Sequence, residues 1–181
     1  ERVKLNVLGI TYSQVHSGAY ALLLAEEGGY YRIPVVVGSA EAQAIAICLE
    51  NIVPPRPLAH DLMANINKAF GITLDEVFIY KFQEGVFLSE MLMTCDGRQV
   101  SLDSRTSDAV AMALRTHAPI YTTREILTTA GFKSKEKGAV AEDEPQPEVS
   151  LDRYAVEELQ RMLKKCVERE EYERAAEIQK V

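Results

Sequence analysis

The 181-residue sequence is short of cysteine, of long apolar runs and of excess positive charge, and each shortage excludes something. Its three cysteines, Cys48, Cys95 and Cys166, are odd in number and far apart, which suits neither a disulfide framework nor a zinc knuckle. A reducing compartment is the simplest expectation for such a pattern. No apolar stretch approaches the ~20 residues that a membrane-crossing helix requires. Glu1-Arg2-Val3-Lys4 leads straight into a strand pattern rather than a signal-peptide core. A cytoplasmic protein with no membrane partner is therefore expected. The sharp catalytic signatures are missing too: no P-loop, no Gly-x-Ser-x-Gly, no His-Glu-x-x-His and no Gly-x-Gly-x-x-Gly.

Charge is present but unevenly placed. Residues 1–138 hold 13 basic against 15 acidic side chains, whereas 139–150 hold no basic residue and four acidic ones. More than half of the net −7 thus falls in one short stretch. A nearly neutral main domain lacks the broad basic footprint of a tight DNA binder. It leaves room for an enzyme with a small local basic site.

What the sequence does contain is a succession of short strands and amphipathic helices. Val3, Leu5 and Val7 alternate with polar residues, and segments near 19–25 and 30–37 flank Glu26-Glu27-Gly28-Gly29 as a hairpin. Pro34 points to an edge or the start of a strand. Helices are expected over 40–51, with Ser39 as its cap, and over 58–69, separated by Pro54-Pro55-Arg56-Pro57. Strands at 77–80, 86–93 and 100–102 follow, with Glu84-Gly85 and Asp96-Gly97 as turns. A helix from Ser107, a short strand at 119–121 and a last helix capped by Thr123 close the pattern. Strands in blocks, rather than strict alternation with helices, predict an α+β fold of mostly antiparallel strand blocks with helices packed against the sheet. The expected domains are an α+β unit over 1–134, an acidic linker over 135–150 and a charged helical hairpin over 151–181.

Two segments are dense in functional side chains: Pro55-Arg56-Pro57-Leu58-Ala59-His60-Asp61 and Leu102-Asp103-Ser104-Arg105-Thr106-Ser107-Asp108. Each stands at a helix N-terminus, where free N–H groups and the dipole favour anions such as phosphate. Asp61, Asp103 and Asp108 could hold a hard divalent cation if the segments meet. Arg56 and Arg105 could clamp phosphate oxygens, and His60 could transfer protons near neutral pH. The plainer reading is that Asp61 and Asp108 serve helix dipoles, that Asp103 pairs with Arg105, and that His60 is a cap. Glu41 reads as a dipole partner, and Cys48 as core.

These segments, with Ile33-Pro34-Val35-Val36-Val37-Gly38-Ser39-Ala40-Glu41-Ala42-Gln43-Ala44-Ile45 before them, resemble the bifunctional nuclease family, whose members are described as acting on DNA and RNA. The resemblance spans about Val3 to Gly131. Its motif positions are Glu41, Arg56, His60, Asp61, Asp103, Arg105, Ser107 and Asp108, while Thr106 stands where the pattern has proline. It implies hydrolysis of phosphodiester bonds, and the near-neutral charge adds the expectation of low sequence specificity. The roles rest on the chemistry of the side chains: Mg²⁺ or Mn²⁺ on Asp103 and Asp108, His60 or Asp61 as base, and Arg56, Arg105 and Ser107 on phosphate. Weak binding of DNA or RNA is the corresponding expectation. Residues 151–181, through Leu159, Met162, Leu163 and Tyr172-Glu173-Arg174-Ala175-Ala176-Glu177-Ile178, resemble the UVR motif. That implies docking on a protein partner or on a second copy, hence a homo-oligomer. The competing readings are a non-catalytic interaction module, a plain coiled-coil arm for the hairpin, and a site for a small phosphorylated ligand. Convergence of Asp61, His60, Asp103 and Asp108 in one open cleft would favour the nuclease. Mutual burial of the charges with no cleft would favour the module.

Overall fold

A computed structural model describes residues 1–12 and 19–134 of the chain. The expected linker and hairpin, 135–150 and 151–181, lie outside the described residues. The fold is α+β. Three strands, β1 (Arg2–Tyr12), β2 (Tyr20–Glu26) and β3 (Tyr31–Val37), lead into helices α1 (Ser39–Leu49) and α2 (Ala59–Ala69). Three more, β4 (Thr73–Gln83), β5 (Val86–Cys95) and β6 (Arg98–Arg105), lead into α3 (Thr106–Thr116). Strand β7 (Ile120–Thr123), helix α4 (Arg124–Ala130) and the short β8 (Phe132–Lys133) complete the described chain.

All these strands join one sheet, ordered β6-β5-β4-β7-β1-β2-β3-β8. Each three-strand block is an antiparallel meander, and β7 stitches the blocks together, antiparallel to β1 and parallel to β4. The tight turns follow from their residues. Glu84 and Gly85 have φ of 53° and 81°, and Asp96 and Gly97 have 49° and 74°, the paired positive values of a two-residue hairpin turn. Pro34 lies in β3 beyond Tyr31 and Arg32, the residues that β8 pairs with, so among the described residues no outer strand calls for its missing N–H.

One core fills the space between sheet and helices, with Leu22, Leu24, Ile33, Ile45, Val77, Ile79 and Val110 fully buried. Helix α3 lies at its centre: Val110, Ala111, Met112 and Ala113 are all buried. Helix α1 packs beside it through Ala42, Ala44 and Ile45. Helix α2 differs, for it has no buried residue at all.

Several boundaries depart from the sequence expectations. Gly38, not Ser39, is the N-cap of α1, and no side chain caps that helix. Strand β6 runs to Arg105, so Asp103 lies within a strand, and α3 begins at the next residue without a loop. The two-residue β8 was not foreseen. Thr123 does cap α4, accepting from the Ile126 N–H at 3.3 Å.

Candidate functional site

The end of β6, the start of α3 and the start of α1 meet at one cavity of about 540 Å³. Val35–Gly38 form one wall, Gly85–Leu88 and Asp103–Ser107 the other, and Glu41 stands at the rim. These walls come from near opposite ends of the sheet order, so the sheet curls enough to bring them face to face. Two helix N-termini open on the cavity, one following Gly38 and one following Arg105, and unpaired N–H groups there favour an anion.

Arg105 links the halves of the molecule. It is the last residue of β6 and the N-cap of α3, in extended conformation (φ −65°, ψ 141°). Its Nε donates to Asp108 Oδ2 at 2.7 Å and its Nη2 to Asp108 Oδ1 at 3.2 Å, a two-pronged pair, while Nη1 lies 2.8 Å from Glu41 Oε1. These contacts occupy three of the five guanidinium N–H donors and leave two. The Arg105 side chain is 66% exposed. Its hydrogen bond to Asp108, then that to Glu41, holds the guanidinium still more firmly protonated than usual.

Behind Arg105, His60 Nε2 lies 3.0 Å from Asp108 Oδ1. This contact joins the two charged segments that the sequence singles out. Burial works to raise the Asp108 carboxyl, but hydrogen bonds and charge from Arg105 and His60 outweigh it, and Asp108 sits below the ordinary carboxylate range. The His60 side chain is 12% exposed and does not line the cavity.

Asp61 takes a separate partner. Its Oδ2 accepts from the Leu58 N–H at 2.8 Å, closing the first turn of α2, and its Oδ1 accepts from Arg115 Nε at 2.6 Å. Here too burial is outweighed, by the Leu58 amide and then Arg115, and the carboxyl is depressed. Arg115 is 5% exposed and donates through Nη1 to the carbonyls of Ala44 and Ala111, at 3.1 and 2.9 Å. Sequence reasoning missed Arg115. A signal existed, for it follows Asp108 by seven residues and so shares its helix face. Cys48, expected in the core, is half-buried, and burial pushes its thiol up.

The remaining residues divide in two. Asp103 lies on the cavity wall, exposed, two residues before Arg105 and hence on the same strand face. Ser107 is buried at the foot of the same wall. Arg56 is exposed in the connection before α2, outside the cavity lining, with no hydrogen bond or ion pair among the described residues. The wall itself is tied down from within: Ser89 Oγ donates to the Ser104 carbonyl at 2.9 Å, and Thr106 Oγ1 donates to the Phe87 carbonyl at 3.2 Å.

A divalent metal fits this donor set poorly. Both oxygens of Asp108 and both of Asp61 are engaged by nitrogen donors. Among the described residues no three His, Cys, Asp or Glu side chains gather as a metal site.

Comparison with known proteins points to the same family. A family model described as the bifunctional nuclease domain matches residues 22–135. An uncharacterized protein of Mycobacterium tuberculosis is 38% identical over 147 residues, covering 78% of this chain and 87% of that protein. Bifunctional nuclease 1 of Oryza sativa subsp. indica is 26% identical over 115 residues, 62% of this chain and 35% of its own length. Bifunctional nuclease 1 of Arabidopsis thaliana is 22% identical over 172 residues, 86% of this chain and 53% of its own. The domain match takes in both cavity walls and every charged residue around them, and on it this chain belongs to the bifunctional nuclease domain family.

Proposed function

We propose that the protein hydrolyses phosphodiester bonds in DNA or RNA with low sequence specificity, and that the cavity beside Arg105 holds the scissile phosphate. The observation that carries this is Arg105 itself: a guanidinium fixed by Glu41 and Asp108, mostly exposed, at the junction of two helix N-termini. Such a group binds a phosphate with little reorganisation, and stabilising the charge that develops on the phosphoryl oxygens is the larger part of phosphodiester catalysis. Ser107 and the first N–H groups of α3 would complete the anion cradle.

Within this reading Asp103 is the carboxylate best placed to accept a proton from attacking water, being exposed on the same wall. Glu41 and Asp108 position Arg105, and His60 positions Asp108. Asp61 acts with Arg115 in joining α2 to α3. Arg56 would meet a neighbouring phosphate of the bound strand. An Mg²⁺ or Mn²⁺ ion on Asp103 and Asp108 remains part of the proposal only at Asp103, where a single carboxylate with water and substrate oxygens is a common Mg²⁺ arrangement.

The test is hydrolysis of single-stranded DNA and RNA by the purified full chain, with Mg²⁺, with Mn²⁺ and with chelator, beside Arg105→Ala and Asp103→Asn. Loss of activity in both variants supports the assignment. Activity that survives Arg105→Ala undiminished refutes it. A second reading, a non-catalytic interaction module, draws support from the Asp61–Arg115 pair, which is architectural in form. It prevails if no hydrolysis is found under any of these conditions.

A further inference from the structure

Helix α2 is turned inside out. His60, Asp61, Ala64 and Asn67 lie on its inner, less exposed side, the first two bonded to α3. The opposite side carries Leu62, Met63, Ile66 and Phe70, which are 54, 42, 45 and 73% exposed. Ile52 and Val53, in the connection before it, are 51 and 90% exposed. Residues four apart share a helix face, so Leu62, Ile66 and Phe70 form one continuous apolar stripe. An apolar stripe ordinarily faces a core. An aromatic side chain spans roughly 150–250 Å² and the aliphatic ones somewhat less, so these six fractions add to several hundred Å². That is the scale of the ~800 Å² which each partner contributes to a specific interface.

We propose that a second copy of this chain covers that stripe, α2 against α2 in antiparallel contact about a two-fold axis at Ile66. The stripe is its own complement under that symmetry, because a position i meets position 132 − i of the other copy. Ile66 meets Ile66, Leu62 meets Phe70 and Met63 meets Ala69, so apolar falls on apolar. Lys68, the one charged residue between Leu62 and Phe70, falls opposite Ala64, so no like charges are forced together, and antiparallel helix dipoles oppose each other favourably. The inward charges of α2 stay with α3. The proposal does not depend on the nuclease reading.

The experiment is the mass of the full chain in solution by light scattering and sedimentation equilibrium, for the wild type, Ile66→Glu and Ile66→Cys. The wild type should be a dimer at tens of micromolar. Ile66→Glu should raise the dissociation constant by about a hundredfold or more, since each dimer would bury two unpaired carboxylates. Because Ile66 is exposed in the single chain, its far-ultraviolet spectrum and thermal midpoint should match the wild type. Ile66→Cys with oxidised glutathione should give a disulfide-linked dimer well above the wild-type background from the three native cysteines. A monomeric wild type overturns the proposal and gives the stripe to another occupant, residues 151–181 of the same chain among them. A dimer indifferent to Ile66→Glu, with no cross-link at position 66, also overturns it and places self-association elsewhere.

Discussion

The imidazole of His60 and the carboxylate of Asp108 meet at 3.0 Å across 48 residues of sequence, His60 from the first turn of α2 and Asp108 from the first turn of α3. One oxygen of Asp108 thereby serves both His60 and Arg105, so the orientation of the phosphate-facing arginine depends on a histidine it does not touch.

His60→Ala should lower hydrolysis by on the order of a hundredfold, the usual scale for losing one organising group of this kind. His60→Gln, which keeps an N–H donor for Asp108, should recover about tenfold of that loss. Equal activity in the two variants would show that His60 does more than hold Asp108 in place. Initial rates against substrate concentration would separate the effects on kcat and KM.

Arg105→Lys preserves charge but not the planar fork. A lysine cannot bridge both Asp108 oxygens and Glu41 at once, so the variant should retain well under a tenth of wild-type kcat/KM, close to Arg105→Ala. Near-normal activity in Arg105→Lys would mean that charge alone suffices.

The Asp61–Arg115 pair predicts an asymmetry. Asp61→Asn leaves a guanidinium 5% exposed without its carboxylate and should cost about 3 kcal/mol. Arg115→Met leaves Asp61 partly solvated and still bonded to the Leu58 amide, and should cost about 1–2 kcal/mol. Urea unfolding of both variants measures this, and the reverse order would contradict the burial argument.

Acid should act through the same groups. The Asp61 and Asp108 carboxyls are both depressed in the folded chain. Each therefore contributes stability that is fully present above the ordinary carboxylate pKa of about 4 and is lost as pH falls through its lower folded value. Unfolding free energy should be level from neutral pH to about 5 on their account and fall below that. The double variant Asp61→Asn, Asp108→Asn should show a shallower acid limb. An identical slope would remove these residues from the acid response.

Thr106→Val keeps the shape of the first α3 residue and deletes its hydroxyl. The buried Phe87 carbonyl loses its donor, so the change should cost about 1–2 kcal/mol. A proline there would suit the helix start but would supply no donor either.

How much of this was readable in advance varies with the physics of each element. Glu84-Gly85 and Asp96-Gly97 announced their turns because few residue pairs accept two successive positive φ values. Thr123 announced its helix for a similarly local reason. Strand β6 was read too short, since all its residues but Ser104 are exposed and no alternation marks its length. The inversion of α2 was hidden because periodicity reveals a stripe without saying which way it points. The contacts of His60 with Asp108 and of Arg115 with Asp61 and Ala44 are made between helices distant in sequence, and no local pattern encodes them. The charged segments could be named as a group; their division between cavity wall, backing and helix joint could not.

The absence of a loop between β6 and α3 has a mechanical consequence. Arg105 and Thr106 are successive residues of a strand and a helix, so the cavity wall has no hinge at that point. Its outer strand is also an edge strand among the described residues, held on one side only, through β5. The arginine is thus preset for its ligand as long as β6 stays zipped, and peeling of that strand from its Arg98 end, beside the Asp96-Gly97 turn, would disarm the cavity without melting the core. Ser89, bonded to the Ser104 carbonyl beside Arg105, is the clasp that such peeling must open last.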